Sequence, residues 1–491
     1  MMQAMHTIDL NPPLNYFLTR WSIAAFGPTP WATRLPEIVA FWVGGLAIFE
    51  LLRRRASVLI GALGVLLLWC CPFFSYAAEA RPYGLLLGFT ALLVAAWDAV
   101  ASGHRRFGIP LLAIAGVLLL LSHIFGLLSL GAVWVGEGVS SWRRRKIDWP
   151  MIAMLLLPLL AAISYRPMFL SYHVAVFPAE ANASWSKLGF LYYAIFRWMW
   201  RPLLAIGLVA ILFRDKHETN PTENGESASI PGTAWVLALL FLIPVGLTIL
   251  FMRSHGAFYD RYGMATAIPI VLLAPILLRR WTAASASASF AALCAVGFLL
   301  LLSTTLRPPL VRAAERVLSP RAATKVTGML TTSMHGPFRP WWKKLPVPQQ
   351  LLSEREQAPL LRSLDDFYAS LPLVAASEIT FVEMDNRESA DVTRRLFYLY
   401  DRKAEIEIAH RTIADGMLEI RDFYPLRGTL APYQQFVAEN RQFLVIGLFE
   451  HPGDWLLRKA ESDGASLQVV ARYNGYSDTD IYLVTFPAIR E

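Results

Sequence analysis

Acids, arginines and histidines stand at the edges of long apolar runs in this chain. Charge beside lipid is costly and needs a reason. Four groups hold that charge. His6-Thr7-Ile8-Asp9-Leu10-Asn11 leads into Pro12-Pro13-Leu14-Asn15-Tyr16, an acid before a stiff Pro-Pro pair and an aromatic, amphipathic stretch. Glu79 and Arg81 sit two residues apart in Ser75–Tyr83. His123 lies between two apolar runs, and His255 precedes Tyr259-Asp260-Arg261-Tyr262. A carboxylate can take a proton from a hydroxyl. An arginine offers a permanently charged, planar fork for an anion.

Each group also has a plain structural reading. Asp9 fits an ordinary loop acid or a cap before a turn. Glu79 with Arg81, and Asp260 with Arg261, fit local ion pairs at an interface. His123 fits a packed, hydrogen-bonded histidine. Arg197 and Arg201 are four apart and share one helix face. They either snorkel to the interface or hold a phosphate together, and snorkelling is the favoured reading.

The elements that must position these residues are membrane spans. Of 491 residues, 55% are hydrophobic and only 17% charged, well below the ~25% charge of soluble domains. A span needs about 20 mostly apolar residues. Such runs occur near 36–52, 57–75, 84–101, 108–122, 124–141, 150–165, 193–213, 232–252, 263–279 and 285–303, so about ten spans are expected. Basic clusters at Arg53–Arg55, Arg105–Arg106, Arg143–Lys146, Arg214 with Lys216, and Arg279–Arg280 fall in alternate connections. Placing them in the cytoplasm sets the sidedness. The four groups of interest and the tail after residue 304 then face outward. Met1 also falls outside with no span to carry it there, so a preceding span is expected. No cleavable signal peptide is visible.

The net charge of +8 lies in these clusters and does not point to nucleic acid. Cys70, Cys71 and Cys294 all lie in apolar runs, so no disulfide framework or thiolate metal site is expected. Residues 305–364 read as a Pro-rich, basic linker. From 365 to 491 strand and helix patterns alternate, with strands near 373–377, 397–400, 442–449, 466–473 and 480–485 and helices at 389–396, 430–440 and 453–462. The expected fold is therefore a polytopic α-helical membrane protein with a small C-terminal α/β soluble domain. Residues 1–35 are expected as an outer loop, and 36–304 as the membrane domain.

Asp9-Leu10-Asn11-Pro12-Pro13-Leu14-Asn15-Tyr16, with Phe26-Gly27 and Arg34-Leu35-Pro36, resembles the first outer loop of GT-C glycosyltransferases. The likeness is to the bacterial branch of protein O-mannosyltransferases and aminoarabinose lipid A transferases. Glu79-Ala80-Arg81-Pro82-Tyr83 resembles that family's Glu-x-Arg-x-Tyr signature. Ser122-His123-Ile124-Phe125 is similar to its Ser/Thr-His-aromatic position, and Arg261-Tyr262 to the pair that opens a late span. The resemblance covers roughly residues 6–300; nothing similar marks the tail.

It implies transfer of a sugar from a polyprenyl-phosphate donor at the extracytoplasmic face of a bacterial plasma membrane, with inversion. The acceptor would be a glycan, lipid or protein. In that reading Asp9 is the base or an acceptor ligand, and Glu79 supports it. Arg81 and Arg261 hold phosphate, while Tyr83, His123, His255, Asp260 and Tyr262 line the site. A divalent cation on carboxylates is an option, since only some relatives use one. Family chains begin with one more span, and a leading acid usually stands upstream of the Pro-Pro motif. Asp9 is thus either the base or the second acid of a pair. Two other classes compete. A transporter or lipid flippase would show repeated halves and broken spans near mid-membrane, and neither is visible. A non-catalytic scaffold would lack a pocket joining Asp9, Glu79 and Arg261.

Overall fold

The apolar runs fold as helices, which satisfy every backbone amide internally where lipid offers no partner. The structure, a computed structural model, describes residues 12–163, 183–214, 232–254, 258–302, 368–409, 413–421, 425–449, 455–474 and 478–487. These fall into two units, described separately: the helical residues up to 302 and the mixed unit from 368.

The helical unit runs α1 Leu14–Phe26, α2 Pro30–Arg55, α3 Val58–Cys70, α4 Tyr83–Ala101, α5 Arg105–Ser122 and α6 Gly126–Arg144. It continues with α7 Trp149–Leu156, α8 Leu159–Ile163, α9 Trp185–Leu212, α10 Thr233–Ser254, α11 Ala267–Trp281 and α12 Ala286–Leu301. Among the described residues, six helices are long and apolar enough to cross a bilayer: α2, α4, α5, α9, α10 and the stretch Arg261–Trp281. A seventh forms if α3 is joined to the 3-10 helix Pro72–Ala78, across a bend of 78°. Trp42, Leu46, Ile114, Leu204 and Leu208 stay exposed on these helices. Apolar surface on that scale belongs in lipid, and the chain is an integral membrane protein.

Local chemistry explains the helix ends. Thr29 caps α2, its Oγ1 accepting from the Ala32 N–H at 3.3 Å, with Pro30 at the first position. Ser57 caps α3 in the same way. Residues 14–26, expected as loop, form α1, which stops at Gly27 with φ of 81°, a conformation glycine adopts without strain.

Small residues let the helices meet closely. A Cβ on Gly88 of α4 would lie 2.0 Å from the Ala40 carbonyl oxygen of α2, and one on Gly44 would lie 2.7 Å from Gly88 Cα. The opposite ends of α2 and α4 are joined by charge. Arg55 donates twice to Asp98 Oδ1, at 3.0 and 2.5 Å. Arg54 donates to the Ala95 carbonyl, and Arg279 of α11 donates to the Arg55 carbonyl. Nearby in type, Arg105 pairs with Asp148 and holds its carboxyl below the usual carboxylate range. Arg144 pairs with buried Glu137 at 2.6 Å. Most of the basic clusters thus gather around carboxylates.

The second unit is a six-stranded sheet of order β3-β2-β1-β4-β6-β5. Its strands are β1 Leu373–Ala375, β2 Leu396–Tyr400, β3 Thr429–Pro432, β4 Gln442–Gly447, β5 Ser466–Asn474 and β6 Asp478–Thr485. The first four are parallel, and β6 runs antiparallel to both β4 and β5. Apolar clusters cover both faces, so the parallel core strands read as continuous buried runs. The five expected strands coincide with five of these. β3 was not expected: the helix expected at 430–440 took in its residues, whereas the helix there starts only at Tyr433, after Pro432 ends the strand. Helix Glu378–Arg387 was also missed, since its only buried residues are Thr380, Phe381, Met384 and Asp385. The expected linker 305–364 lies outside the described residues.

Candidate active site

Tyr83 opens α4 directly after Pro82. This helix start is fastened to α2 by a buried acid. Glu37 is fully buried, and its Oε2 accepts the Leu85 N–H at 2.8 Å. A Cβ on Gly84 would stand 2.6 Å from the Glu37 carbonyl oxygen, so glycine is needed there. The first amides of a helix lack intrahelical partners, and the acid oxygen of Glu37 supplies one. The Arg81-Pro82-Tyr83 turn is therefore held at a fixed place on α2. The second oxygen, Oε1, is buried with no hydrogen-bond partner.

His123 ends α5 and is buried. Its Nδ1 accepts the Phe125 N–H at 3.1 Å. That bond places the ring proton on Nε2 and keeps the imidazole neutral. The His123 ring lies 5.7 Å from Tyr83 and 5.0 Å from Phe125.

The third component comes from the 3-10 turn Asp260–Thr266, which leads into α11. The Arg261 guanidinium stacks over Tyr259 at 4.1 Å. It lies 5.6 Å from the Tyr83 ring and 5.7 Å from the Tyr262 ring. Tyr262 closes the circuit, 4.5 Å from Phe125. Contacts of this kind hold a guanidinium by cation–π attraction. The guanidinium also reaches the Tyr83 hydroxyl, but Arg261 Nε is buried without a hydrogen-bond partner, and no described carboxylate pairs with it.

Tyr83, His123, Arg261 and Tyr262 thus meet at one end of the helices. Glu79 and Arg81 lie within electrostatic range of the Tyr83 hydroxyl, Glu79 half-buried and Arg81 exposed. Asp9 and His255 fall outside the described residues, and Asp260 is placed only by its backbone. Glu37 was not among the expected site residues. Its signal was an acid just inside the apolar run that opens at residue 36. Phe125, Tyr76 and Phe251 complete the ring cluster; in sequence they look like any other aromatic at a span end.

Among the described residues no group of three or more His, Cys, Asp or Glu side chains is placed to hold a metal ion. The described site is basic and aromatic, with Glu37 and Glu79 as its acids near Tyr83. The Asp9 and Asp260 side chains, whose oxygens would suit a hard cation, fall outside the described residues, and no step is routed through one.

No protein-family model matches the chain, and no curated protein matches it in sequence. Two solved structures are similar: ArnT from Cupriavidus metallidurans bound to undecaprenyl phosphate, and the same protein in the apo state. Each is 14% identical, covers 96% of this chain and 87% of that chain, and gives a TM-score of 0.48. A likeness of that depth carries no argument about what this chain does.

Proposed function

We propose that the chain is a GT-C-type glycosyltransferase with about ten spans. It moves a sugar from a polyprenyl-phosphate donor to an acceptor at the extracytoplasmic face of a bacterial plasma membrane. The observation that carries the reading is Arg261, a guanidinium stacked on Tyr259 at 4.1 Å with a buried, unpartnered Nε. Such a cation at an apolar helix end is costly unless an anion comes to it. A lipid-linked phosphate is an anion delivered at that depth. The four family-like motifs, in family order, support the same reading.

The chemistry follows from the residue types. A carboxylate, Asp9 or Glu79, takes the proton of the acceptor hydroxyl. The oxygen attacks the anomeric carbon, and the bond to the carrier phosphate breaks. Arg261 and Arg81 stabilise the charge that builds on the departing phosphate. Neutral His123 and Tyr83 supply hydrogen-bond donors along the wall. The basic clusters face the cytoplasm by the positive-inside rule, which puts this site, and the C-terminal α/β domain of 365–491, on the outer side.

The test is sugar transfer from a radiolabelled polyprenyl-phosphate donor in inverted and right-side-out vesicles, with Arg261→Gln, Arg261→Lys, Glu79→Gln and Arg81→Ala. Charge-assisted hydrogen bonds contribute about 1.5–3 kcal/mol, so Arg261→Gln lowers kcat/KM by roughly 10- to 150-fold. Arg261→Lys keeps charge without the fork or the stack and recovers only part. Near-normal turnover of all four variants at normal membrane levels would sink the assignment.

A further inference from the structure

Helix α9 has 28 residues, about 42 Å at 1.5 Å per residue. The hydrocarbon core is about 30 Å thick. Arg197 and Arg201 lie twelve and sixteen residues from Trp185, about 18 and 24 Å along the helix. An upright helix of that length keeps both arginine backbones at hydrocarbon depth however it slides. Most arginines of this unit described above sit at helix ends beside acids. These two do not, and among the described residues neither pairs with a carboxylate.

Both belong to the outward face of α9. Leu191, Ile195, Met199 and Ile206 are buried against the unit, while Tyr193, Trp200, Leu204 and Leu208 are each about half exposed. Arg201 is exposed and Arg197 half-exposed. The Arg197 guanidinium lies 6.0 Å from the Tyr193 ring, and Arg201 lies 5.4 Å from the Trp200 ring. Residues four apart are neighbours on a helix face, so the two forks are set to share one anion.

We propose that this face binds one acidic phospholipid. Its phosphate bridges Arg197 and Arg201. Charge complementarity selects the occupant: two unpartnered cations facing lipid are matched by an anionic headgroup and not by a zwitterionic one. The proposal does not depend on the glycosyltransferase reading.

The experiment is native mass spectrometry of the delipidated full chain, titrated with phosphatidylglycerol, phosphatidylcholine or undecaprenyl phosphate. One phosphatidylglycerol is expected to bind in preference to phosphatidylcholine. Arg197→Gln/Arg201→Gln is expected to weaken it by roughly tenfold or more, and Arg197→Lys/Arg201→Lys to keep most of the binding. A second measurement uses wild-type protein in nanodiscs. Brominated phosphatidylglycerol should quench fluorescence more than brominated phosphatidylcholine, and Trp200→Phe should remove the difference. The proposal is overturned by wild-type protein that shows no preference between the phospholipids. It is equally overturned by a Gln variant that keeps the preference, or by undecaprenyl phosphate displacing phosphatidylglycerol stoichiometrically from the same site.

Discussion

Asp98→Ala removes the carboxylate that joins α2 to α4 at the basic end. Asp98 is 3% exposed, and the Arg55 side chain beside it is 14% exposed. Two donors of one guanidinium converge on Oδ1 at 3.0 and 2.5 Å, and Arg54 stands 3.9 Å from Oδ2. Truncating one member of a buried pair costs about 3–5 kcal/mol, because the remaining charge stays desolvated. Some solvent reaches Arg55, so the lower end, about 3 kcal/mol, is expected. The loss should fall in Arg55→Met/Asp98→Leu, where no charge is stranded. The assay is thermal or denaturant unfolding in detergent for Arg55→Met, Asp98→Leu and the double, with Asp98→Ala alongside. A coupling of ~2 kcal/mol supports the reasoning, and additive losses, with coupling below about 0.5 kcal/mol, refute it.

Gly88→Val places atoms where the Ala40 carbonyl stands 2.0 Å from an ideal Cβ. The helices must part, so a loss of at least 1–3 kcal/mol is expected for such overpacking, read as a lower unfolding midpoint; wild-type stability would show that α2 and α4 do not cross there. Tyr433 in the sheet-containing unit donates to Asp463 Oδ2 at 2.9 Å. Burial first, and the Asp463 carboxylate second, raise its phenol above the ordinary value of about 10. A raised folded value means that its stabilisation is complete below about pH 10 and is lost as pH rises through the folded value. Tyr433→Phe should cost about 1 kcal/mol at neutral pH and flatten the alkaline decline in unfolding midpoint. A decline parallel to wild type would show that Tyr433 does not contribute to it.

Hydropathy and basic clusters made the helical unit readable, because lipid imposes length and apolarity on each span. It was less informative where a helix is only partly apolar. α6 carries Glu137, Arg143 and Arg144, and α7 with α8 is short, so neither passes as a span on length and composition. The sheet strands were readable because β1, β2 and β4 are buried runs rich in branched and aromatic residues. β3 was hidden by Pro432 and by its partial exposure. In the candidate site, Tyr83, His123, Arg261 and Tyr262 were visible as polar groups at span ends. Glu37 was not, since its meaning lies in a bond to Leu85, 48 residues away, which only the crossing of α2 and α4 creates. Phe125 was missed for the same reason: its role depends on lying 4.5 Å from Tyr262.

The open fork of Arg261 has a consequence for turnover. On the proposed reading, a sugar-linked carrier phosphate is a diester with one negative charge. The carrier released after transfer is a monoester, with ~1.5 to 2 charges near neutral pH. The same guanidinium that draws in the donor therefore grips the spent carrier more tightly. Departure of that carrier, rather than formation of the glycosidic bond, would set the pace. The free carrier would inhibit competitively against the donor, and more strongly as pH rises through about 6.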